Sequence, residues 1–313
     1  MIITEDLSKQ FEDRCAVDGV NLTVQAGEVL ALLGPNGAGK TTTVRMLSSI
    51  LRPTRGWARV AGFDVVDQPD KVRAAVGVLA EQHGLYMRML AWEYLDFFGQ
   101  LYRLDRLTRQ KRARQLLENF GLWEHRNRRI GQFSRGMIQK LALARVMLHE
   151  PPVLLLDEPT SAMDPESAVL VRDAIQALRS ADRAIVLCTH NLAEAEKLAD
   201  QIAIISYGQI VSQGTPTKLK QQLLGPEEYE VHFGVPCRDT TCSMPAGIEV
   251  SGRGSDWLRF RPHSAAIDNP IVIQSLLDQG FPVVSLQVVP RSLEQVYLEV
   301  MNGVDEEEMV DVQ

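Results

Sequence analysis

The chain reads as an α/β protein with a largely parallel sheet, followed by a small α+β domain. Three observations carry that reading. Strand-length apolar runs alternate with amphipathic helical stretches from the N-terminus to about residue 215. That alternation gives way to purely helical patterning between roughly 85 and 150, and composition shifts again near "LLGPEEYE" (223–230).

In chain order, "EVLALLG" (28–34), "PVLLLDE" (152–158), "AIVLCTH" (184–190) and "QIAIISYG" (201–208) read as strands, three of them buried on both faces. The segments "AWEYLDFFGQLYRL" and "RQKRARQLLENFGL" read as helices of an insertion between two parts of one sheet. Beyond residue 224, "YEVHF", "DWLRFRP" and "PVVSLQVV" read as strands. "NPIVIQSLLDQG" and "RSLEQVYLEVMNG" read as helices, the second opening on a Ser292 cap and ending at Gly303. About ninety residues suffice for a separate small domain.

Composition bounds the function. Hydrophobic residues make up 45% and charged residues 23% of 313, ordinary values for a globular protein. No apolar run approaches the ~20 residues that span a bilayer. The N-terminal "MIITEDLSKQ" carries acids and no apolar core, so no signal peptide is expected. Cys15, Cys188, Cys237 and Cys242 form no disulfide framework, in keeping with a reducing cytosol. Cys237 and Cys242 make half a metal site at most, and no second pair completes it.

A net charge of −7 argues against a general nucleic-acid binder. The charge is uneven: residues 101–135 hold ten Lys/Arg against three Asp/Glu, and the last eleven residues hold five acids and no base. A basic helical face is most often simply solvated, with an acidic partner or lipid headgroups as the alternative.

"GPNGAGKTT" (34–42) follows an apolar strand and precedes a helical run, matching G-x-x-x-x-G-K-[ST]. Its glycines let the backbone curl until several N–H groups face phosphate oxygens, and the helix start adds its positive dipole end. Lys40 can reach β- and γ-phosphates, and the Thr41 hydroxyl can ligate Mg²⁺. "VLLLDEPT" (153–160) sets Asp157 at the tip of a buried strand, suited to Mg²⁺, with Glu158 next as a general base for water. "IVLCTHN" ends a later strand at His190, in the order expected of a group that senses the γ-phosphate. In "FSRGMIQK" (133–140), Ser134 reads as the N-cap of a helix whose Ile138, Leu141, Ala142 and Leu148 form an inward stripe. Such a helix start offers a hydroxyl and free N–H groups to an anion.

The order "GPNGAGKTT", "FSRGMIQK", "VLLLDEPTSAMD", "IVLCTHN" resembles the ATPase subunits of ABC transporters, over residues 1 to about 220. The resemblance implies a RecA-like P-loop core in an ATPase domain spanning 1–224, with a helical subdomain at about 85–150 and an accessory domain at 225–313. It implies a head-to-tail dimer (a homodimer or a paired ATPase) binding ATP and Mg²⁺. In that dimer Gly34, Pro35, Asn36, Gly37, Ala38, Gly39, Lys40, Thr41 and Thr42 of one chain face Ser134 and Gly136 of the other. Phe11 matches the aromatic that stacks on adenine, and Asp164 a loop that crosses the dimer.

Departures from the family pattern narrow the branch. Phe133-Ser134-Arg135-Gly136-Met137 stands where Leu-Ser-Gly-Gly-Gln is usual, and Ala162-Met163 where Gly-Leu is common. In "LAEQHGLY" (79–86), Glu81 takes by register the place of a glutamine that serves Mg²⁺ and water, with Gln82 one residue on as the alternative. The "SRGM" flavour and "SLEQVYLEV" (292–300) are similar to the exporter ATPases for drugs, antibiotics and lipid-linked polysaccharides. The expectation is an ATP-hydrolysing exporter subunit on the cytoplasmic face of the membrane, attached through separate permease subunits, with docking around "GLYMRMLAWEYLDFF" (84–98). The alternatives are an importer ATPase, a non-transport relative and a silent regulatory subunit. The chain lacks the tandem units or coiled-coil insertion of the second, and has every catalytic position but the water-loop glutamine filled against the third.

Overall fold

The computed structural model describes residues 1–81, 84–234 and 243–310. Cys237 and Cys242, the half metal site of the sequence reading, lie outside the described residues, as does Gln82. The chain divides into two compact units, one over Met1–Pro216 together with the segment that begins at Val304, and one over Thr217–Gly303.

The first unit opens with β1 (Ile2–Phe11) and β2 (Arg14–Val24), then β3 (Val29–Leu33), the phosphate loop and α1 (Lys40–Leu47). Next come β4 (Arg55–Val60), β5 (Phe63–Asp64), α2 (Pro69–Ala75) and β6 (Val76–Leu79). A helical stretch follows, α3 (Ala91–Leu101), α4 (Arg106–Asn119) and α5 (Arg135–Met147). The unit closes with β7 (Val153–Asp157), α6 (Pro165–Ala177), β8 (Ala184–Thr189), α7 (Leu192–Leu198), β9 (Gln201–Ser206) and β10 (Gln209–Gly214).

Six strands form the central sheet in the order β10-β9-β3-β8-β7-β6. Five run parallel, and only β10 pairs antiparallel, through a hairpin with β9. Strands β3, β7 and β8 are buried along their whole length. Their successive residues point to opposite faces and enter two separate cores. Leu154, Leu156, Ile185 and Leu187 join the core built with α3–α5. Leu30, Leu32, Val153 and Leu155 join the one built with α1 and the N-terminal strands. Those strands make a second, antiparallel sheet, β2-β1-β4-β5, which the sequence reading did not separate out. Strand β1 hides its alternation because its pairings slip register at several points, and Asp6 turns to φ 53° within it.

The 84–98 segment sorts itself by burial. Tyr94 and Leu95 are fully buried core residues, whereas Tyr86, Met87 and Phe97 stay exposed, with Tyr86 and Phe97 in edge contact at 5.9 Å. Much of the basic charge of α4 is met by acids: Arg109 pairs with Asp96, Arg112 with Glu150 and Arg114 with Glu118.

The second unit comprises α8 (Pro216–Leu224), β11 (Tyr229–Phe233), β12 (Glu249–Arg253), β13 (Trp257–Arg261), α9 (Ala265–Asp278), β14 (Val283–Val288) and α10 (Leu293–Val310) as far as Gly303. Its antiparallel sheet runs β12-β13-β11-β14. Val231, Phe233, Leu258 and Phe260 pack on Val272 and Leu276 of α9. Two helix boundaries differ from expectation. Helix α9 begins at Ala265 and carries Pro270 inside its second turn, since the ring forfeits one hydrogen bond there without ending the helix. Helix α10 does start on Ser292, which exchanges hydrogen bonds with Gln295, but it continues through Gly303 to Val310. A lone glycine costs a helix only about 1 kcal/mol, and no proline follows to stop it.

Leu155 lies at the centre of β7 with no exposed surface. Leu155→Ala is expected to destabilise the chain by about 2–5 kcal/mol, read from the urea unfolding midpoint.

Candidate functional site

The apolar run of β3 ends at Leu33, and the chain then folds over itself to start α1. Two glycines make that turn possible. A side chain at Gly34 would collide with the Ile205 carbonyl. At Gly39 the backbone stands at φ 109°, and an added Cβ would lie 2.6 Å from the Ala16 carbonyl. Helix α1 receives no side-chain cap and has no acid in its first turn. Its leading N–H groups are thus left for an anion, with the positive end of the helix dipole behind them.

Lys40 is buried at 5% exposure and bends back over the loop. Its Nζ donates to the carbonyls of Gly34 at 2.7 Å and Pro35 at 3.0 Å, and stands 3.3 Å from Glu158 Oε1. The other carboxylate oxygen, Oε2, lies 2.8 Å from His190 Nδ1. Glu158 therefore sits between the lysine that opens α1 and the histidine just past the end of β8. It takes the left-handed conformation at φ 50°, which directs its side chain back into the cleft end of the sheet.

Asp157, the last residue of β7, is 2% exposed. Burial raises its carboxyl above the ordinary range; the Thr41 hydroxyl and Lys40 oppose that, while the charges of Glu158 and Glu81 add to it. Its Oδ1 is buried without a partner among the described residues. An orphaned carboxylate oxygen beside a threonine hydroxyl, with Glu81 nearby, is an all-oxygen donor set of the kind a hard divalent cation takes. Among the described residues no group of three or more His, Cys, Asp or Glu assembles. That fits a cation held by one or two protein oxygens together with phosphate and water.

A cleft of about 600 Å³ runs along these groups, lined by Phe11, Lys40, Thr41, Glu81, Glu158 and His190 among others. Asn36, Gly37, Gly39 and Thr42 also reach it. Phe11 stands half-exposed at the end of β1, with Lys9 Nζ 5.1 Å from its ring centre. Ser134 and Gly136 are not brought to this cleft. Ser134 caps α5, its hydroxyl accepting from Met137 N at 3.3 Å, and Gly136 packs against Ser167 of α6. Sequence reasoning passed over Arg14, which lines the cleft and donates to the Gly37 carbonyl at 3.1 Å. It lies in a β-hairpin with no motif of its own, so only the fold reveals it.

A family model described as "ABC transporter" matches residues 17–161. NatA, an ABC transporter ATP-binding protein of Bacillus subtilis, is 42% identical over 219 residues, covering 68% of this chain and 89% of that protein. The chain belongs to the ABC transporter ATP-binding proteins. The daunorubicin resistance ATP-binding protein DrrA2 of Streptomyces coeruleorubidus is 36% identical over 304 residues, 94% of this chain and 92% of that protein. A Nod factor export ATP-binding protein of Burkholderia lata is 33% identical over 79% of this chain and 82% of that protein. Among solved structures, an ATP-binding subunit of an ABC transporter superposes with a TM-score of 0.65 at 29% identity, over 72% of this chain and 94% of that one. A dimeric ATP-binding cassette in a post-hydrolysis state bound to ADP and Pi matches at 25% identity with a TM-score of 0.61, over 69% of this chain and 98% of that one.

The family match and the ADP- and Pi-bound neighbour show an ABC ATPase domain. The RecA-like fold expected from the motifs is the one observed. Among the described residues, no helix is long and apolar enough to cross a membrane.

Gly39→Ala tests the loop geometry. It is expected to leave the fold intact and to weaken ATP binding at least tenfold, measured by titration with a fluorescent ATP analogue, because a Cβ displaces the backbone that forms the cradle.

Proposed function

We propose that the chain is the ATP-hydrolysing subunit of an ABC exporter, driving transport through separate membrane-spanning subunits. The observation that carries the chemical part is the Lys40–Glu158–His190 array, with Glu158 held between two groups at the mouth of the phosphate loop. The observation that favours export is the likeness to the drug-resistance ATP-binding protein over 94% of this chain, second unit included.

In this reading the loop residues Gly34, Pro35, Asn36, Gly37, Ala38, Gly39 and Thr42 wrap the phosphates with their backbone. Lys40 turns from the Gly34 and Pro35 carbonyls towards the β- and γ-phosphates. Phe11 stacks on the adenine. Thr41, Asp157 and Glu81 would hold Mg²⁺, which when bound would supply charge neutralisation on the phosphate oxygens; Gln82 is the alternative to Glu81. Glu158 accepts a proton from the attacking water, and His190, hydrogen-bonded to it, contacts the γ-phosphate. Ser134 and Gly136 serve the site of a second ATPase chain, a role supported by the exposed Ser134 at a helix start away from its own cleft.

The partners in this reading are permease subunits, which hold the chain at the cytoplasmic face of the membrane. Tyr86, Met87 and Phe97 offer the exposed apolar contact for them. The division of labour follows the two compact units, the first carrying ATP chemistry and the second acting as an accessory domain.

Glu158→Gln keeps the shape of the side chain and removes the base. Turnover is expected to fall at least a hundredfold while ATP binding persists, and size-exclusion chromatography with ATP should reveal a trapped dimer. Hydrolysis at the wild-type rate would contradict the general-base role. Lys40→Ala is expected to lose ATP affinity, and a variant that binds ATP normally would contradict the phosphate-loop assignment. Purification from membranes tests the transport role, with a spanning permease expected to accompany the chain.

A further inference from the structure

Glu158 leads a loop, residues 158–164, that the fold grips from two directions. Both Glu158 and Ala162 adopt the left-handed conformation, at φ 50° and 55°. A residue with a side chain keeps that conformation only where its surroundings hold it. Helix α5 supplies one grip. The Gln139 amide, 1% exposed, donates to the Pro159 carbonyl at 2.5 Å, and Arg135 Nη1 donates to the Ala162 carbonyl at 2.8 Å. The two contacts come from successive turns of one helix, so they pin the loop near both of its left-handed residues.

Helix α7 supplies the second grip. Glu194 is fully buried, and its carboxylate accepts the Thr160 hydroxyl at 2.8 Å. Burial raises the Glu194 carboxyl above its ordinary range, and hydrogen bonds from Thr189 and Thr160 oppose the rise. The same residue sits in the first turn of α7, where its backbone N–H is capped by Asn191 at 3.1 Å, one residue after His190. Glu194 therefore fastens the segment that carries Glu158 to the segment that carries His190. A buried polar group aimed at a partner resists displacement, because leaving that partner unpaired is costly.

We propose that Gln139, Arg135 and Glu194 are positioning residues for hydrolysis, holding the loop after Glu158 so that its carboxylate stays aligned with His190. This rests on the general-base reading of Glu158. None of the three lines the nucleotide cleft. Their influence passes through backbone and hydroxyl groups of residues 159–162. Arg135, the residue that departs from the family signature, gains a role in its own chain: it ties the start of α5 to the loop that ends at Asp164. A reacting group displaced by about 1 Å loses on the order of a hundredfold in rate. The phosphate loop that binds ATP is built separately, so the loss falls on kcat rather than on KM.

Steady-state ATPase measurements on the full chain test this, with each rate normalised to the folded fraction from thermal unfolding. Gln139→Glu sets a carboxylate against the Pro159 carbonyl. Thr160→Val keeps the volume and removes the hydroxyl that Glu194 accepts. Arg135→Ala and Arg135→Lys separate loss of the contact from loss of charge. We expect kcat to fall about tenfold to a hundredfold in Gln139→Glu and Thr160→Val, with KM for ATP unchanged within about twofold. Arg135→Lys is expected to recover most of what Arg135→Ala loses. Added to Glu158→Gln, Gln139→Glu or Thr160→Val should lower the residual rate no further, since both act through the carboxylate already removed. Wild-type kcat per folded chain, a rise in KM alone, or an additive loss in the Glu158→Gln background would overturn the proposal. If Glu158→Gln itself turns over normally, the general-base reading fails. If Glu158→Gln is inactive while Gln139→Glu and Thr160→Val keep full kcat, the positioning role alone fails.

Discussion

A parallel sheet buried on both faces has only its strand ends left for chemistry, and the rest of this molecule follows from that constraint. Strands β3, β7 and β8 carry no exposed residue along their length. Charged groups placed on their faces would have to be desolvated among leucines and valines, at a cost of several kcal/mol each. At the carboxyl ends the same strands deliver Lys40 just past β3, Asp157 and Glu158 at β7, and His190 just past β8. The three strands are neighbours in the sheet order, so residues more than a hundred positions apart in the chain meet within hydrogen-bonding range. Ligands of open α/β sheets gather at such carboxyl ends for this reason.

The same constraint explains why the site was readable before the fold. A phosphate loop needs glycine where backbone crowds backbone, and Gly34 and Gly39 are pressed against the Ile205 and Ala16 carbonyls. No other residue fits, so the spacing is written in residue types. A strand-end carboxylate pair after "VLLL" is equally local. What the sequence does not carry is the meeting of distant segments without special residue types. Arg14 enters the cleft from a hairpin, Gln139 reaches Pro159 from mid-helix, and Glu194 reaches Thr160 from α7. Each is an ordinary polar residue whose partner is set by packing alone. The N-terminal sheet escaped for a related reason: register slips in β1 erase the period of two on which strand recognition depends. Ser134 was legible as a helix cap, but nothing in "FSRGMIQK" announces that Arg135 turns towards its own chain's Ala162.

Charge patterning was legible in amount but not in consequence. Ten basic residues in 101–135 suggest a cationic face, yet Asp96 and Glu150, both outside that segment, neutralise Arg109 and Arg112. In both pairs the guanidinium is largely sheltered, and only Glu150 stands mostly in solvent. Their effect is on recognition, since a paired guanidinium attracts an anionic surface less than a free one.

The signature loop shows how one substitution is absorbed. Replacing a glycine by arginine at a helix start risks blocking the N–H groups that an anion needs. Here Gly136, one residue on, keeps the close approach to Ser167, where a Cβ would meet the hydroxyl at 3.3 Å. The Arg135 side chain is drawn away by the Ala162 carbonyl, leaving the Ser134 hydroxyl at the helix end. Ala162 presents that carbonyl because its own backbone is left-handed at φ 55°. An alanine pays for that conformation with strain that a glycine, common at this place in the family, would avoid. The Arg135 guanidinium thus satisfies the carbonyl that the left-handed Ala162 presents. The two departures, Arg135 at the start of α5 and Ala162 on the loop after Glu158, meet in this one hydrogen bond.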